Sequence, residues 1–493
     1  MKKNINIIGL GITVITLILI ACQVPNEKAS KPNVILIMAD DIGFECLSMN
    51  GSTSYRTPVL DSLARNGVNF KKALSQPLCT PSRVKIMTGK YNYKNYEYFT
   101  YLNPNEKTFG NLFKENGYKT AIVGKWQLNG IQYKIDGFND NRRPNHFGFD
   151  EYCLWQLTKL KSDGERFANP LIEENGEFLP RDEDAYGPDV VSDYAIEFIK
   201  KNKDNPFFIY YPMLLVHNPF VPTPDSPEWQ LIETRSQKNN RFFIDMVEYM
   251  DKIIGKIKHE LENQGIAENT LILFVGDNGT NVNLVSETKN GPVKGGKGNT
   301  ITHGHHVPMV ANWPEKIKNP TEYNGLINLN DFYATFCDIL NVRNESDGMS
   351  FMDVLTTESF LERETTTIYY DPHHHNRSKV SPLRNVFTQD ARYKLYKDGR
   401  FFDMKNDILE TEVTKPVLTI NANFPSFDLF VDNFVISFSS NPGCPFTMKI
   451  SVCQIQNSVL KFNYAQCVIS YSHNLMYYSY SCLLHIYLTG LYL

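Results

Sequence analysis

The stretch with most chemistry in it is Cys79-Thr80-Pro81-Ser82-Arg83, with Thr88-Gly89 closing the segment. Proline fits the first turn of a helix, where its missing N–H is not needed, so Pro81 predicts a helix opening near Cys79. The free amides and positive end of such a helix favour an anion. They are also expected to lower the pKa of a thiol beside them. Arg83 falls one turn on, able to turn its guanidinium toward the same point. Composition alone reads Cys79 as a structural cysteine ahead of a helix. Two further polar pairs, Asp40-Asp41 and Asp277-Asn278, closely follow the apolar runs Val34–Met38 and Thr270–Val275. Taken singly, the first reads as a helix cap after a strand and the second, with Gly279, as a plain turn.

These residues need a frame. Val34–Met38 and Thr270–Val275 are continuous apolar runs of strand length, as are Thr120–Val123 and Pro206–Tyr210; Val68–Phe70 is a shorter one. Helical patterns fall between them at Asp189–Lys200 and Phe242–Leu261. Another helix starts at Thr57-Pro58, with Thr57 as its cap, buries Leu60, Leu63 and Ala64, and stops at Gly67. Strands alternating with helices predict an α/β fold, a mostly parallel sheet flanked by helices on both faces. Ligands in such folds sit beyond the carboxyl ends of the strands. Both polar pairs lie at such ends. Further on, Tyr393–Tyr396 and Phe401–Asp403 flank an Asp398-Gly399 turn, the signal of a hairpin in a small antiparallel C-terminal subdomain.

Composition bounds the classes. Apolar residues at 42% and charged ones at 21% allow a sizeable core and exclude a disordered chain. A net charge of −4 leaves no basic stripe for a phosphate backbone, so no nucleic acid partner is expected. Nine irregularly spaced cysteines are too few for a disulfide scaffold. At about 150 residues per domain, 493 residues make two or three domains. The expected division is a catalytic α/β domain over 33–365, the antiparallel subdomain over 366–411, and an atypical tail over 412–493.

Cys-x-Pro-Ser-Arg followed by Thr-Gly resembles the signature of the formylglycine-dependent sulfatases, within the alkaline phosphatase-like superfamily. Other features stand in that family's order: Asp40-Asp41 after the first strand, Gly124-Lys125-Trp126, Val216-His217-Asn218-Pro219, Gly276-Asp277-Asn278-Gly279, Gly295-Gly296-Lys297-Gly298 and Val307-Pro308. The resemblance covers roughly residues 31–411. It implies that a maturation enzyme oxidises Cys79 to formylglycine. One hydroxyl of the hydrated aldehyde then attacks sulfur and the other expels sulfate, an exit that serine lacks. It also implies a divalent cation on Asp40, Asp41, Asp277, Asn278 and the hydrate at Cys79. Hard oxygen ligands suit Ca²⁺ and, less well, Mg²⁺, rather than Zn²⁺. Lys125 and Lys297 would clamp sulfate oxygens and Arg83 would hold the hydrate. His217 would contact the sulfate and protonate the leaving alcohol.

Two departures stand out. Many relatives have Lys-Trp-His-Leu-Gly where this chain has Lys125-Trp126-Gln127-Leu128-Asn129, and Gln127 carries neither charge nor a usable base. Many also have Glu-Gly-Gly-x-Arg before Val-Pro, against Thr302-His303-Gly304-His305-His306 here. A branch of bacterial sulfatases pairs the Gln and His-Val-Pro forms, and both are read as its markers. The expected function is hydrolysis of organic sulfate monoesters, with sulfated carbohydrates as substrates by analogy. The alternatives are a phosphoester or phosphonate ester hydrolase on the same scaffold, and a non-catalytic binder of sulfated glycans.

The ends and some repeats of polar residues have separate readings. Lys2 and Lys3, an uncharged stretch from Ile7 to Ile20, and Ala21-Cys22 resemble a bacterial lipoprotein signal over 1–21, with a tether over 22–32. The expectation is export to the periplasm or outer membrane on a lipid at Cys22. The segment from Glu412 to Leu493 holds six charged residues, too few for an ordinary surface, and reads as foreign to the preceding domain, out of frame or disordered. Gly291–Gly298 nearly matches a phosphate-binding loop, but Gly298 stands where Ser or Thr is needed. His303, His305 and His306 read as loop packing, and His373–His375 as an exposed or substrate-facing loop.

Overall fold

The computed structural model describes residues 31–357, 362–372 and 384–413, with the backbones of four strands between 426 and 465. The apolar runs extend into the strands β1 (Asn33–Ala39), β2 (Val68–Leu74), β3 (Lys119–Lys125), β4 (Glu151–Trp155), β5 (Ile172–Glu174), β6 (Glu177–Phe178), β7 (Phe207–Pro212) and β8 (Thr270–Gly276). A separate hairpin is made by β9 (Val285–Thr288) and β10 (Gly291–Lys294); β11 (His306–Asn312) and β12 (Thr321–Asn328) rejoin the main sheet. Its order is β12-β2-β11-β8-β1-β7-β3-β4-β5-β6. The centre, β8-β1-β7-β3-β4, is parallel throughout. The expectation of a mostly parallel sheet is modified by β11, which runs antiparallel to both β8 and β2 inside the sheet.

Strand residues alternate between two cores, as the pleat requires. Ile35, Ile37 and Ala39 pack with α1 (Pro58–Arg65), α4 (Gly187–Asn202) and α5 (Phe242–Asn263). Val34, Leu36 and Met38 pack on the opposite face with α2 (Cys79–Thr88), α3 (Phe109–Glu115) and α6 (Asp331–Leu340). All ten residues of α2 are buried, which fixes its first turn against the sheet. Thr57 does not cap α1. Its hydroxyl is taken by Ser48 (2.9 Å) and Asp61 (3.3 Å), and Asp251 of α5 accepts the Val59 and Leu60 amides at 2.9 Å instead. Gly67 follows α1 because a Cβ there would stand 2.1 Å from the Ala311 carbonyl oxygen.

The small sheet consists of β13 (Thr366–Tyr370), β14 (Asn385–Gln389), β15 (Tyr393–Tyr396) and β16 (Phe401–Asp403), antiparallel in sequence order. Gly399 has φ +90°, as the Asp-Gly turn demands. Lys394 of β15 is fully buried, 2.7 Å from Glu410 and 3.8 Å over the Phe387 ring, and donates to the Thr300 carbonyl. Tyr370 donates to the Gly298 carbonyl at 3.1 Å. These contacts hold the loop that carries Lys297. A second compact unit, Val417–Leu493, contains an antiparallel meander of β17 (Ser426–Val431), β18 (Phe434–Ser440), β19 (Met448–Gln456) and β20 (Val459–Ala465). Among the described residues no helix is long and apolar enough to cross a membrane. The leader through Ala21, Cys22 and His373–His375 lie outside the described residues.

Candidate active site

Parallel strands end on one side of a sheet, and here four of them deliver the expected residues to one place. Ala39 of β1 pairs with Gly276 of β8, so Asp40 and Asp277 leave the sheet side by side. The Asp277 amide donates to Ala39 O (3.0 Å), and the Asp41 amide donates to Asp277 Oδ1 (3.0 Å). Lys125 ends β3. The segment after β7 is zipped to the β1 end through Asp40 N to Leu215 O (2.9 Å) and Val216 N to Asp40 O (2.7 Å), which sets His217 over the pair.

Each member of the Cys79 motif has a local task. Thr80 Oγ1 accepts the Thr100 amide (3.2 Å), and Asn92 Nδ2 donates to Pro81 O (2.8 Å). Ser82 Oγ accepts the Gln76 amide (3.0 Å), anchoring the loop ahead of the helix. Arg83 donates to Asp277 Oδ2 (3.1 Å) and to the Lys125 carbonyl (3.4 Å), and lies 3.7 Å from Asp40 Oδ1. Cys79 is 3% exposed, with Sγ 3.7 Å from Gln127 Oε1. Ligating atoms of Asp40, Cys79 and Asp277 all lie within 4.8 Å of one another, as do those of Asp40, Asp41 and His217.

The charges interlock. Lys125 Nζ sits 2.8 Å from Asp40 Oδ2, Lys297 Nζ 2.6 Å from Asp41 Oδ2, and His217 Nε2 3.7 Å from the same oxygen. Burial would raise the Asp40 carboxyl, but Lys125, His217 and Arg83 outweigh it and hold the group well below the usual range. Asp41 is lowered in the same way by His217 and Lys297. Asp277 goes the other way: burial and the Asp40 charge push it up against Arg83. His217 falls to about 3, because burial outweighs Asp41 and Asp40. The expected lowering of the Cys79 thiol is corrected here: burial pushes it up, and Asp40 and Asp277 add to that against Lys125. The helix start alone does not make a thiolate when the thiol is enclosed among carboxylates.

The donor set fits a hard dication. Asn278 Nδ2 is fixed by Asp41 Oδ1 (2.9 Å) and Gly279 O (3.0 Å), which turns its Oδ1 the other way. Asn278 Oδ1 and Asp40 Oδ1 are both buried and accept no hydrogen bond. Unsatisfied amide and carboxylate oxygens beside two further carboxylates suit Ca²⁺ or Mg²⁺.

A model of the sulfatase family matches residues 32–342. The chain belongs to the sulfatase family. A sulfatase of Formosa agariphila is 25% identical, over 83% of this chain and 89% of that protein. An N-acetylgalactosamine-6-O-sulfatase of Bacteroides thetaiotaomicron is 28% identical, over 69% of this chain and 79% of its own length. The crystal structure of Ps i-CgsB in complex with k-i-k-neocarrahexaose is 26% identical, with a TM-score of 0.61 covering 78% of this chain and 89% of that one. Membership makes this sulfatase a sulfuric ester hydrolase.

The structure brings Cys79, Arg83, Lys125, Gln127, His217 and Lys297 together with Asp40, Asp41, Asp277 and Asn278. The departures from the family pattern have local reasons. Trp126 directly follows β3 and Trp155 ends the neighbouring β4, and each is followed by a glutamine at positive φ, Gln127 at 56° and Gln156 at 59°. Gln127 N donates to Gln156 O at 3.3 Å. Asn129 accepts the Trp126 indole N–H at 2.6 Å, a bond that glycine could not make. His306 Nε2 lies 2.8 Å from Lys71 O, His303 Nδ1 lies 3.1 Å from Lys294 O, and His305 is buried against Lys394, so these three are loop packing. Arg166 was not legible: it lies in a loop between β4 and β5, with no motif around it, yet reaches 3.9 Å from Asp40.

Proposed function

We propose that this sulfatase hydrolyses sulfate monoesters of carbohydrates at Cys79, after that residue has been matured to formylglycine. The observation that supports the reading is the approach of Cys79, Asp40 and Asp277 to within 4.8 Å at the open end of a wholly buried helix. A hydrated aldehyde at position 79 supplies the nucleophile on sulfur and, through its second hydroxyl, the release of sulfate. Asp40, Asp41, Asp277 and Asn278 would hold Ca²⁺ or Mg²⁺, which when bound supplies charge neutralisation for the sulfate oxygens.

The remaining work falls to the chain's own groups. Lys125 and Lys297 present ammonium groups to the sulfate from two sides, and their pairing with Asp40 and Asp41 holds both in place before substrate arrives. Arg83, tied to Asp277 and to the Lys125 carbonyl, keeps helix α2 in register with both strand ends and faces position 79. The His217 ring keeps Nδ1 2.6 Å from the Asn218 carbonyl, leaving Nε2 toward the site. An arriving sulfate adds negative charge beside the ring, which favours the protonated form that can hand a proton to the leaving alcohol. Gln127, beside Cys79, orients the hydrate by hydrogen bonding without taking its proton.

Carbohydrate esters are favoured because the Bacteroides thetaiotaomicron relative is an N-acetylgalactosamine-6-O-sulfatase. Export on a lipid at Cys22, to the periplasm or outer membrane, belongs to the same proposal. The test is peptide mass across Cys79, which falls on thiol-to-aldehyde conversion, followed by assay on 4-nitrophenyl sulfate and sulfated oligosaccharides. Matured protein that turns over neither sinks the proposal.

A further inference from the structure

Arg166 is nearly fully buried, 5% exposed, in a site that no motif assigned it to. Its guanidinium stacks on the Trp155 ring at 4.3 Å and on Phe167 at 5.4 Å. Nη2 donates to the Asn218 carbonyl at 3.1 Å, which orients the fork. Nη1 lies 3.9 Å from Asp40 Oδ2, beyond hydrogen-bond distance, and has no hydrogen-bond partner although it is buried. The neighbouring cations are engaged: Lys125 with Asp40, Lys297 with Asp41, Arg83 with Asp277. A buried guanidinium N–H without a partner is costly, and a water, an ion or a ligand is needed to complete it.

We propose that Arg166 is a further catalytic residue, whose free Nη1–H donates to an oxygen of the scissile sulfate. This rests on the sulfatase reading above. Asn218 and Trp155 pre-set the fork, so little side-chain freedom is lost when the oxyanion arrives. The contact strengthens as charge builds on the sulfuryl oxygens, and so acts on the rate as well as on binding.

The experiment uses full-length matured protein and 4-nitrophenyl sulfate, whose only anionic group is the ester itself. Arg166→Met is expected to lower kcat/KM about 10²- to 10³-fold. Inorganic sulfate should inhibit it about tenfold more weakly, and added guanidinium should restore part of the rate. Arg166→Lys keeps the charge and much of the stacking but loses the fork, so it serves if the Met variant does not fold; its kcat/KM should fall about tenfold at wild-type Tm. Three results would overturn the assignment. They are variants within threefold of wild type, a rate loss with unchanged sulfate inhibition and no rescue, and a loss confined to substrates bearing a second anionic group. Wild-type protein inactive on the aryl ester, with aldehyde present, would instead strike at the sulfatase reading itself.

Discussion

Lys125→Met removes the cation closest to Asp40 while keeping a side chain of similar length. The Nζ–Oδ2 distance is 2.8 Å and both groups are buried, so at an effective dielectric of about 20 the attraction is about 6 kcal/mol. Desolvation of the ammonium offsets part of this, and breaking a buried pair typically costs 3–5 kcal/mol, because one charge is left behind. Here Arg83 at 3.7 Å and Arg166 at 3.9 Å still face Asp40, which puts the expected loss near the lower end, about 3 kcal/mol. Urea unfolding in chelator measures it directly. Repeating the titration in Ca²⁺ at about 100 times its Kd should stabilise wild type by about 2.7 kcal/mol and the variant by more, since a dication replaces the missing charge. The same variant should lose about 10²- to 10³-fold in kcat. If the two proteins unfold together in chelator, Asp40 is not a buried charge held by Lys125. If the gap stays the same in Ca²⁺, the cation does not sit on Asp40.

Burial lowers the Lys85 ammonium to about 7 from 10.5, with only Asp331 and Asp347 opposing, so between those pH values the unfolded chain carries a proton that the folded chain does not. Stability therefore rises with pH across that window, and Lys85→Met should stabilise at pH 7 by about 2–4 kcal/mol, with the gain shrinking toward pH 10. A gain that is the same in urea melts at both pH values would contradict this. Glu410→Ala leaves Lys394 buried without its carboxylate and should cost about 3–5 kcal/mol and raise KM for 4-nitrophenyl sulfate through the Lys297 loop; an unchanged Tm would refute it. Asp251→Ala strips two amide acceptors from the start of α1 and should cost about 1–3 kcal/mol in the same melts, against no change if solvent serves those amides equally well.

The main sheet was legible because its central strands are apolar on both faces, and continuous apolar runs announce themselves. The site was legible where chain chemistry is local: Cys79 through Arg83, Asp40-Asp41 and Asp277-Asn278 each sit in a short distinctive string. What sequence hid was tertiary. The direction of β11 depends on which way a loop returns, and its apolar pattern is the same either way. Asp251 caps a helix that begins 193 residues earlier, at Pro58, so the nearer Thr57 looked the better candidate. Arg166 comes from a loop without motif, and its place is set by stacking on Trp155. The thiol shift was misjudged because helix position can be read from spacing, whereas burial beside the two carboxylates Asp40 and Asp277 cannot.

Cys79, 3% exposed as the first residue of a helix buried along its whole length, is out of reach of any second protein once the chain has closed around it. On the formylglycine reading proposed above, a converting enzyme would have to act before that closure. The interval is set by the far end of the domain, since the Lys394–Glu410 pin that steadies the Lys297 loop is synthesised about 330 residues after Cys79. At ribosomal speeds of about 5–20 residues per second, that leaves on the order of 15–65 s of nascent chain. Under that proposal, slower closure of the fold would widen this window and raise the converted fraction, and a faster-closing variant would emerge with more thiol.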